Sequence, residues 1–321
     1  MTIASVSLDD KYTLERGRVF LSGVQVLTRL LILQAQRDHA AGLKTAGFVT
    51  GYRGSPLGGL DRALVQASKQ LKSHDISFQP GINEELAATS IWGAQQLHFL
   101  PQPKYDGVFA MWYGKGPGAD RCGDVFKHAN YAGTARHGGV LVVVGDDHGA
   151  KSSSIAHQSD HQLVAAGIPV LAPAGIQEFL DFGIHGWAMS RYSGLWAGFK
   201  ITSEAAESSA SVEVDPDRVR VRLPEDFVLP PEGISIRWPD DRFLQERRMA
   251  EYKVYAAQAY ARTNGLDHIV WDGAETKPRL GIISCGKAYL DVRQALDDLG
   301  IDEQQAARIG IRLYKVGLVW P

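Results

Sequence analysis

The chain has 321 residues, enough for two domains, and its hydrophobic fraction of 45% is that of an ordinary water-soluble globular protein. A formal net charge of −2, with Lys and Arg scattered rather than blocked, excludes a basic stripe for nucleic acid or an acidic membrane surface. Cys122 and Cys285 stand far apart, so this chain cannot build a disulfide framework, a Cys-ligated metal site or an iron–sulfur site, and a reducing cytoplasm is the expected compartment.

Residues 1–23 lack a positively charged segment followed by an apolar core, and the apolar cluster at 30–33 is too short to span a bilayer. An untargeted, soluble protein without a membrane partner is therefore expected. Dense apolar residues predict a buried helix over 24–41, closed by Gly42. Residues 47–50 then read as a strand, 51–59 as a loop rich in Gly and Pro, and 60–71 as a second helix, which makes a βα unit. The pattern repeats with strands at 76–79, 107–112, 140–144 and 168–171, the run of valines at 140–144 being typical of a strand covered on both faces. Helices at 120–131, 159–166 and 177–191 separate them, so the architecture is α/β with a doubly wound, mainly parallel sheet.

Near Ser203 the composition changes, and four Pro-containing segments from Asp215-Pro216 to Trp238-Pro239 mark a connection between domains. A helix over 242–262 ends at Asn264-Gly265. Strands at 280–283 and 311–316, with a helix over 286–299 between them, begin a second α/β domain that has too little sheet to bury both faces. The expected division is 1–203, 204–274 and 275–321, the last being an incomplete domain of a truncated chain with an exposed sheet face.

Three polar stretches follow strands: Gly51-Tyr52-Arg53-Gly54-Ser55-Pro56, Asn83-Glu84-Glu85 and Gly145-Asp146-Asp147-His148-Gly149. Ligands of open α/β sheets gather beyond the carboxyl ends of the strands, so these mark one rim as a candidate cofactor site. Glu84 precedes a small-residue helix expected to start near Leu86; it reads either as a proton-sharing carboxylate acting on a heterocycle nitrogen or as an acid favoured by the helix dipole, with Asn83 as the N-cap. The 51–59 loop reads either as a backbone cradle for a ligand or as a structural turn, because it carries neither a dinucleotide fingerprint nor a P-loop ending. Asp146, Asp147 and His148 suit an ordinary solvated strand end better than a metal, and no metal ligand set is assigned. Lys151, Ser152, Ser153, Ser154 and His157 extend that rim, and Gly114-Lys115-Gly116-Pro117-Gly118 reads as a flexible, positively charged loop after a strand.

In this order the segments resemble the thiamine-diphosphate-dependent 2-oxoacid:ferredoxin oxidoreductases, above all the indolepyruvate:ferredoxin oxidoreductase family. The resemblance runs from Arg16 to about Ser203 as the pyrimidine-binding domain, and from Arg279 to Val319 as the opening of a transketolase-C-terminal-like domain. Gly51 to Pro56 matches the family's Gly-Tyr-Pro-Gly-Ser/Thr-Pro loop, with Arg53 where the family has proline; Asn83-Glu84-Glu85 matches the segment of the cofactor-activating glutamate. Lys115, Asp147, His148, Ser152 and Ser153 fall on the active-site rim. The resemblance implies that Glu84 is catalytic and that Gly51, Tyr52, Arg53, Gly54, Ser55, Pro56 and Asn83 bind thiamine diphosphate. It further implies oxidative decarboxylation of an aryl 2-oxoacid such as indolepyruvate to an acyl-CoA, with electrons passing through 4Fe-4S clusters to ferredoxin. The Gly-Asp-Gly…Asn metal and diphosphate segment and the cysteine clusters are absent from this sequence. Magnesium, the clusters and coenzyme A would then belong to a C-terminal remainder, and the enzyme would be a homo-oligomer. The alternatives are a non-oxidative thiamine-diphosphate enzyme and a non-catalytic α/β interaction module.

Overall fold

In the computed structural model, residues 6–150, 155–273 and 277–321 are described. Its strands in chain order are β1 (Gly17–Ser22), β2 (Thr45–Gly51), β3 (Ile76–Phe78), β4 (Gly107–Lys115), β5 (Val140–Asp146), β6 (Val170–Leu171), β7 (Ala197–Thr202), β8 (Ser209–Val214), β9 (His268–Trp271), β10 (Leu280–Cys285), β11 (Ile311–Val316) and β12 (Leu318–Trp320). Seven of them form one sheet in the order β12-β6-β7-β5-β4-β2-β3, parallel throughout except for β12, which runs antiparallel to β6.

The sheet is covered on both faces because alternate residues of its central strands point in opposite directions. Phe109, Met111 and Tyr113 of β4 and Leu141 and Val143 of β5 pack with the helices Gly23–Ala40 and Ile176–Ser193. Ala110 and Trp112, with Val140, Val142 and Val144, pack on the other side against Ile91, Phe126 and Leu163. Both sets are buried, so the run of valines at 140–144 is the doubly covered strand that its composition predicts. The doubly wound parallel architecture is thus the observed one.

Several elements differ from expectation. β7 lies in the middle of the sheet, but Gly198 and Lys200 break its apolar run. β1 and β8 pair antiparallel, from Gly17 opposite Val214 to Ser22 opposite Ser209, a contact between segments that no local pattern joins. The helix expected over 60–71 is two, Leu60–Gln66 and Ser68–Ser73. The one expected over 242–262 contains a π turn at Met249–Lys253. The expected strand at 168–171 shrinks to Val170–Leu171, since Pro169 has no N–H for a sheet.

The Pro-rich stretch packs on the body of the protein: Ile234 and Ile236 are buried and Ile236 N donates to Thr134 O. Beyond it, β10-β11-β9 form a small sheet around Trp271, Tyr289, Leu296 and Leu313. After one residue, Gly317, the chain returns to the large sheet as β12. Asp267 Oδ1 accepts from Gly317 N at 2.7 Å and Leu318 N at 2.9 Å, which fixes that crossing. Among the described residues no helix is long and apolar enough to cross a membrane.

Candidate functional site

The loop after β2 lies across the carboxyl rim of the sheet, over β4 and then β5. Tyr52 N donates to Tyr113 O at 3.0 Å, so the loop starts tied to the neighbouring strand. Gly54 sits against Lys115 at the end of β4, where an added Cβ would stand 2.7 Å from Lys115 Cδ. Pro56 then reaches β5, with a Cβ on Gly145 meeting Pro56 Cδ at 2.8 Å. Glycines at both contacts let the backbone come this close. Pro56 is buried, Gly54 and Ser55 are half-buried, and Tyr52 and Arg53 are exposed.

Glu84 reaches the same rim from the opposite face of the sheet. The turn after β3 is fixed by Gly81 N donating to Gly51 O at 2.8 Å, and Asn83 Oδ1 accepts from Leu86 N at 2.9 Å as an N-cap. The helix Glu84–Ala94 thereby begins two residues before the expected start. Trp112 Nε1, from β4, donates to Glu84 O at 3.0 Å and anchors the first turn. The side chain of Glu84 is half-buried and lies over Gly118: a Cβ there would meet Glu84 Cγ at 2.6 Å and Oε1 at 2.8 Å.

Residues 114–118 are not a flexible loop. Gly114 and Lys115 end β4, and Gly116 opens the helix Gly116–Arg121. Pro117 suits that position because the first turn of a helix has N–H groups without intrahelical partners. Nor is the end of β5 solvated: Asp146 is fully buried and Asp147 is 5% exposed, while His148 is exposed. Asp146 accepts from Ser159 N at 3.0 Å and Ser159 Oγ at 2.6 Å, and Lys200 Nζ stands 3.6 Å from it while pairing with Asp160. Both oxygens of Asp147 are buried without a hydrogen-bond partner among the described residues. Lys200 was missed because it lies on β7, which carries no strand signal of its own. Lys151, Ser152, Ser153 and Ser154 lie outside the described residues. Among the described residues no group of three or more His, Cys, Asp or Glu is placed to hold a metal.

The rim therefore brings together Gly51 to Pro56, Asn83, Glu84, Lys115, Gly118, Asp147 and His148 along adjoining strand ends. Cys122, buried below Glu84 and Glu85, has its thiol pKa raised by burial and then by those two carboxylates, so it is a protonated packing residue rather than a nucleophile.

Residues 268–321 match a family described as the indolepyruvate oxidoreductase domain. The chain is 25% identical over 323 residues to the indolepyruvate oxidoreductase subunit IorA of Methanothermobacter marburgensis, an alignment covering 98% of this chain and 45% of the relative. It is 25% identical over 290 residues to the subunit of the same name from Pyrococcus abyssi, covering 88% of this chain and 41% of the relative. The chain thus spans less than half the length of these curated relatives. Its fold is similar, with a TM-score of 0.65 and 15% identity, to a 2-oxoglutarate:ferredoxin oxidoreductase from Magnetococcus marinus solved with 2-oxoglutarate, coenzyme A and succinyl-CoA bound, over 95% of this chain and 54% of the other. The chain resembles the indolepyruvate oxidoreductase family over nearly its whole length.

Proposed function

We propose that this chain is the pyrimidine-binding part of a 2-oxoacid:ferredoxin oxidoreductase acting on indolepyruvate or a related aryl 2-oxoacid, with Glu84 as its proton-sharing carboxylate. One observation carries the reading: Glu84 stands on the carboxyl rim of a parallel sheet with its carboxyl group over Gly118, near the glycine-lined loop after β2. The likeness to IorA subunits supports it from outside the geometry.

The residues present suit thiamine diphosphate. Gly118 lets the Glu84 side chain lie along the rim and Gly54 lets the loop after β2 close onto Lys115, while Asp147 leaves two buried carboxylate oxygens for a donor. When bound, the cofactor would supply an acidic thiazolium carbon, a nucleophile toward a 2-oxo group and a sink for electrons. The chain's own part is positional and protonic. Glu84 would hold a proton between its Oε atom and the pyrimidine ring nitrogen N1′, a role that needs a carboxyl group and a fixed rotamer. Asn83 and Trp112 hold the helix turn on which Glu84 stands, through the bonds to Leu86 N and Glu84 O. The loop from Gly51 to Pro56 would shape the wall beside the heterocycle.

Magnesium, the diphosphate contacts, coenzyme A, the iron–sulfur clusters and the exchange with ferredoxin are assigned in this reading to regions beyond the chain, in a cytoplasmic homo-oligomer. The test is Glu84→Gln in the longest native form of the protein, since the amide keeps the shape and loses the exchangeable proton. A folded variant with turnover reduced by about a hundredfold or more supports the role. Wild-type turnover with undiminished exchange of the thiazolium proton sinks it and leaves Glu84 as a helix-start residue.

A further inference from the structure

An open cavity of about 590 Å³ lies beyond the amino ends of β2 and β5, at the rim of the sheet opposite Glu84. One wall is apolar. Ile184 and Ala188 come from the helix Ile176–Ser193, and Leu229 and Ile234 come from the Pro-rich stretch that packs beside it.

The charges around it do not balance. Arg37, Arg136 and Arg191 line the cavity with a single carboxylate, Asp38. Asp38 is committed: Arg191 grips both of its oxygens at 2.7 Å, and Gln34 and Thr45 each donate to it at 2.8 Å. Arg37 also faces the charge of Asp217 outside the cavity, so the uncompensated charge on the lining is that of Arg136. Arg37 donates to Pro216 O and forms no ion pair among the described residues. Arg136 is exposed, with neither hydrogen bond nor ion pair among the described residues. Burial, then the charges of Arg136 and Arg191, lowers the pKa of His137 beside them. The hydroxyl of Tyr192, another lining residue, is buried with no partner among the described residues, an arrangement that costs stability unless something fills it.

We propose that this cavity binds a small monocarboxylate with an apolar body. Its carboxylate pairs with Arg136, and its hydrocarbon part covers Ile184, Ala188 and Leu229. A guanidinium presents two parallel N–H groups that match a carboxylate, as Arg191 already does for Asp38 a short distance away. The apolar wall distinguishes such a ligand from inorganic phosphate, which would gain nothing from it.

Isothermal titration of the intact protein with phenylacetate tests this, with phenylacetamide and inorganic phosphate as the neutral and the apolar-free probes. One phenylacetate per chain is expected at the cavity, with phenylacetamide and phosphate each bound about tenfold more weakly or worse. Arg136→Gln, at an exposed side chain without bonds, should keep the fold and weaken phenylacetate about tenfold. Ala188→Phe, which fills the apolar wall, should abolish binding, while Glu84→Gln at the other rim should leave it unchanged. No heat with phenylacetate at millimolar concentration overturns the proposal. So does binding that survives Arg136→Gln, that phosphate matches, or that Glu84→Gln removes.

Discussion

The carboxyl group of Glu84 rests on Gly118, whose missing side chain leaves the space that Glu84 Cγ and Oε1 occupy. Gly118→Ala would put a methyl group 2.6 Å from Cγ, well inside carbon–carbon contact distance, so the carboxyl group must rotate away. Stability should hardly fall, because alanine in the helix Gly116–Arg121 gains up to about 1 kcal/mol of helix propensity that offsets the clash. Turnover should drop roughly tenfold to a hundredfold, as expected for a misplaced reacting group. Steady-state kinetics beside a thermal melt checks it, and unchanged turnover in a folded variant would detach Glu84 from the chemistry.

Gly54 makes the corresponding contact with Lys115. A valine there collides with Lys115 Cδ and stiffens the loop at the rim, where few core contacts depend on it. Thiamine diphosphate affinity should fall about tenfold or more while the melting temperature moves by only a few degrees. A large loss of stability with unchanged affinity would assign Gly54 to a structural turn.

What the sequence could reveal depended on whether each signal was local. The valines at 140–144 and the repeated strand–loop–helix order carry the doubly wound sheet in their composition, and Asn83 declares a helix start by residue type. β7 does not, since Lys200 looks outward-facing until its partners Asp146 and Asp160 are in place. The pairing of β1 with β8 and the return of β12 to β6 join residues remote along the chain, so no window of sequence contains them. At the site, the motifs located the rim, but the packing of Glu84 on Gly118 and of Pro56 on Gly145 required the sheet order. The burial of Asp146 and Asp147 had the same cause: two adjacent acids look solvated until Ser159 folds over one of them.

His185 makes stability depend on pH. Burial, then the nearby charge of Arg37, lowers its pKa from the ordinary 6.5 to about 4, while its Nδ1 lies 2.9 Å from the Tyr260 hydroxyl. The folded state therefore keeps the ring neutral where the unfolded chain already takes up a proton. The stability this confers is complete above pH 6.5 and is lost as the pH falls towards about 4. The full difference is roughly 3 kcal/mol. Urea unfolding across that window should show a steeper acid loss for the wild type than for His185→Gln, which keeps an amide for Tyr260 but does not titrate. Parallel pH profiles would mean that another group dominates the acid limb.

Asp267 decides whether the chain's last strand stays in the large sheet. Its Oδ1 satisfies the N–H groups of both Gly317 and Leu318, and Gly317 O in turn accepts from Ala172 N at 2.9 Å, next to the pairing of Leu318 with Leu171. Removing the carboxylate strands two donors at a crossing that has no room to shift: a Cβ on Gly317 would already meet Leu266 O at 2.4 Å. Leaving these donors unsatisfied should cost about 1–3 kcal/mol, concentrated where β12 meets β6 rather than spread through the core. Asp267→Ala should therefore speed amide exchange at Ala172 and at β12, while Val142 and Val143 in the middle of the sheet keep their protection. Asp267→Asn should restore most of it, because the amide oxygen can still accept both bonds. Equal protection at Ala172 in the wild type and in Asp267→Ala would show that packing alone holds β12 in place.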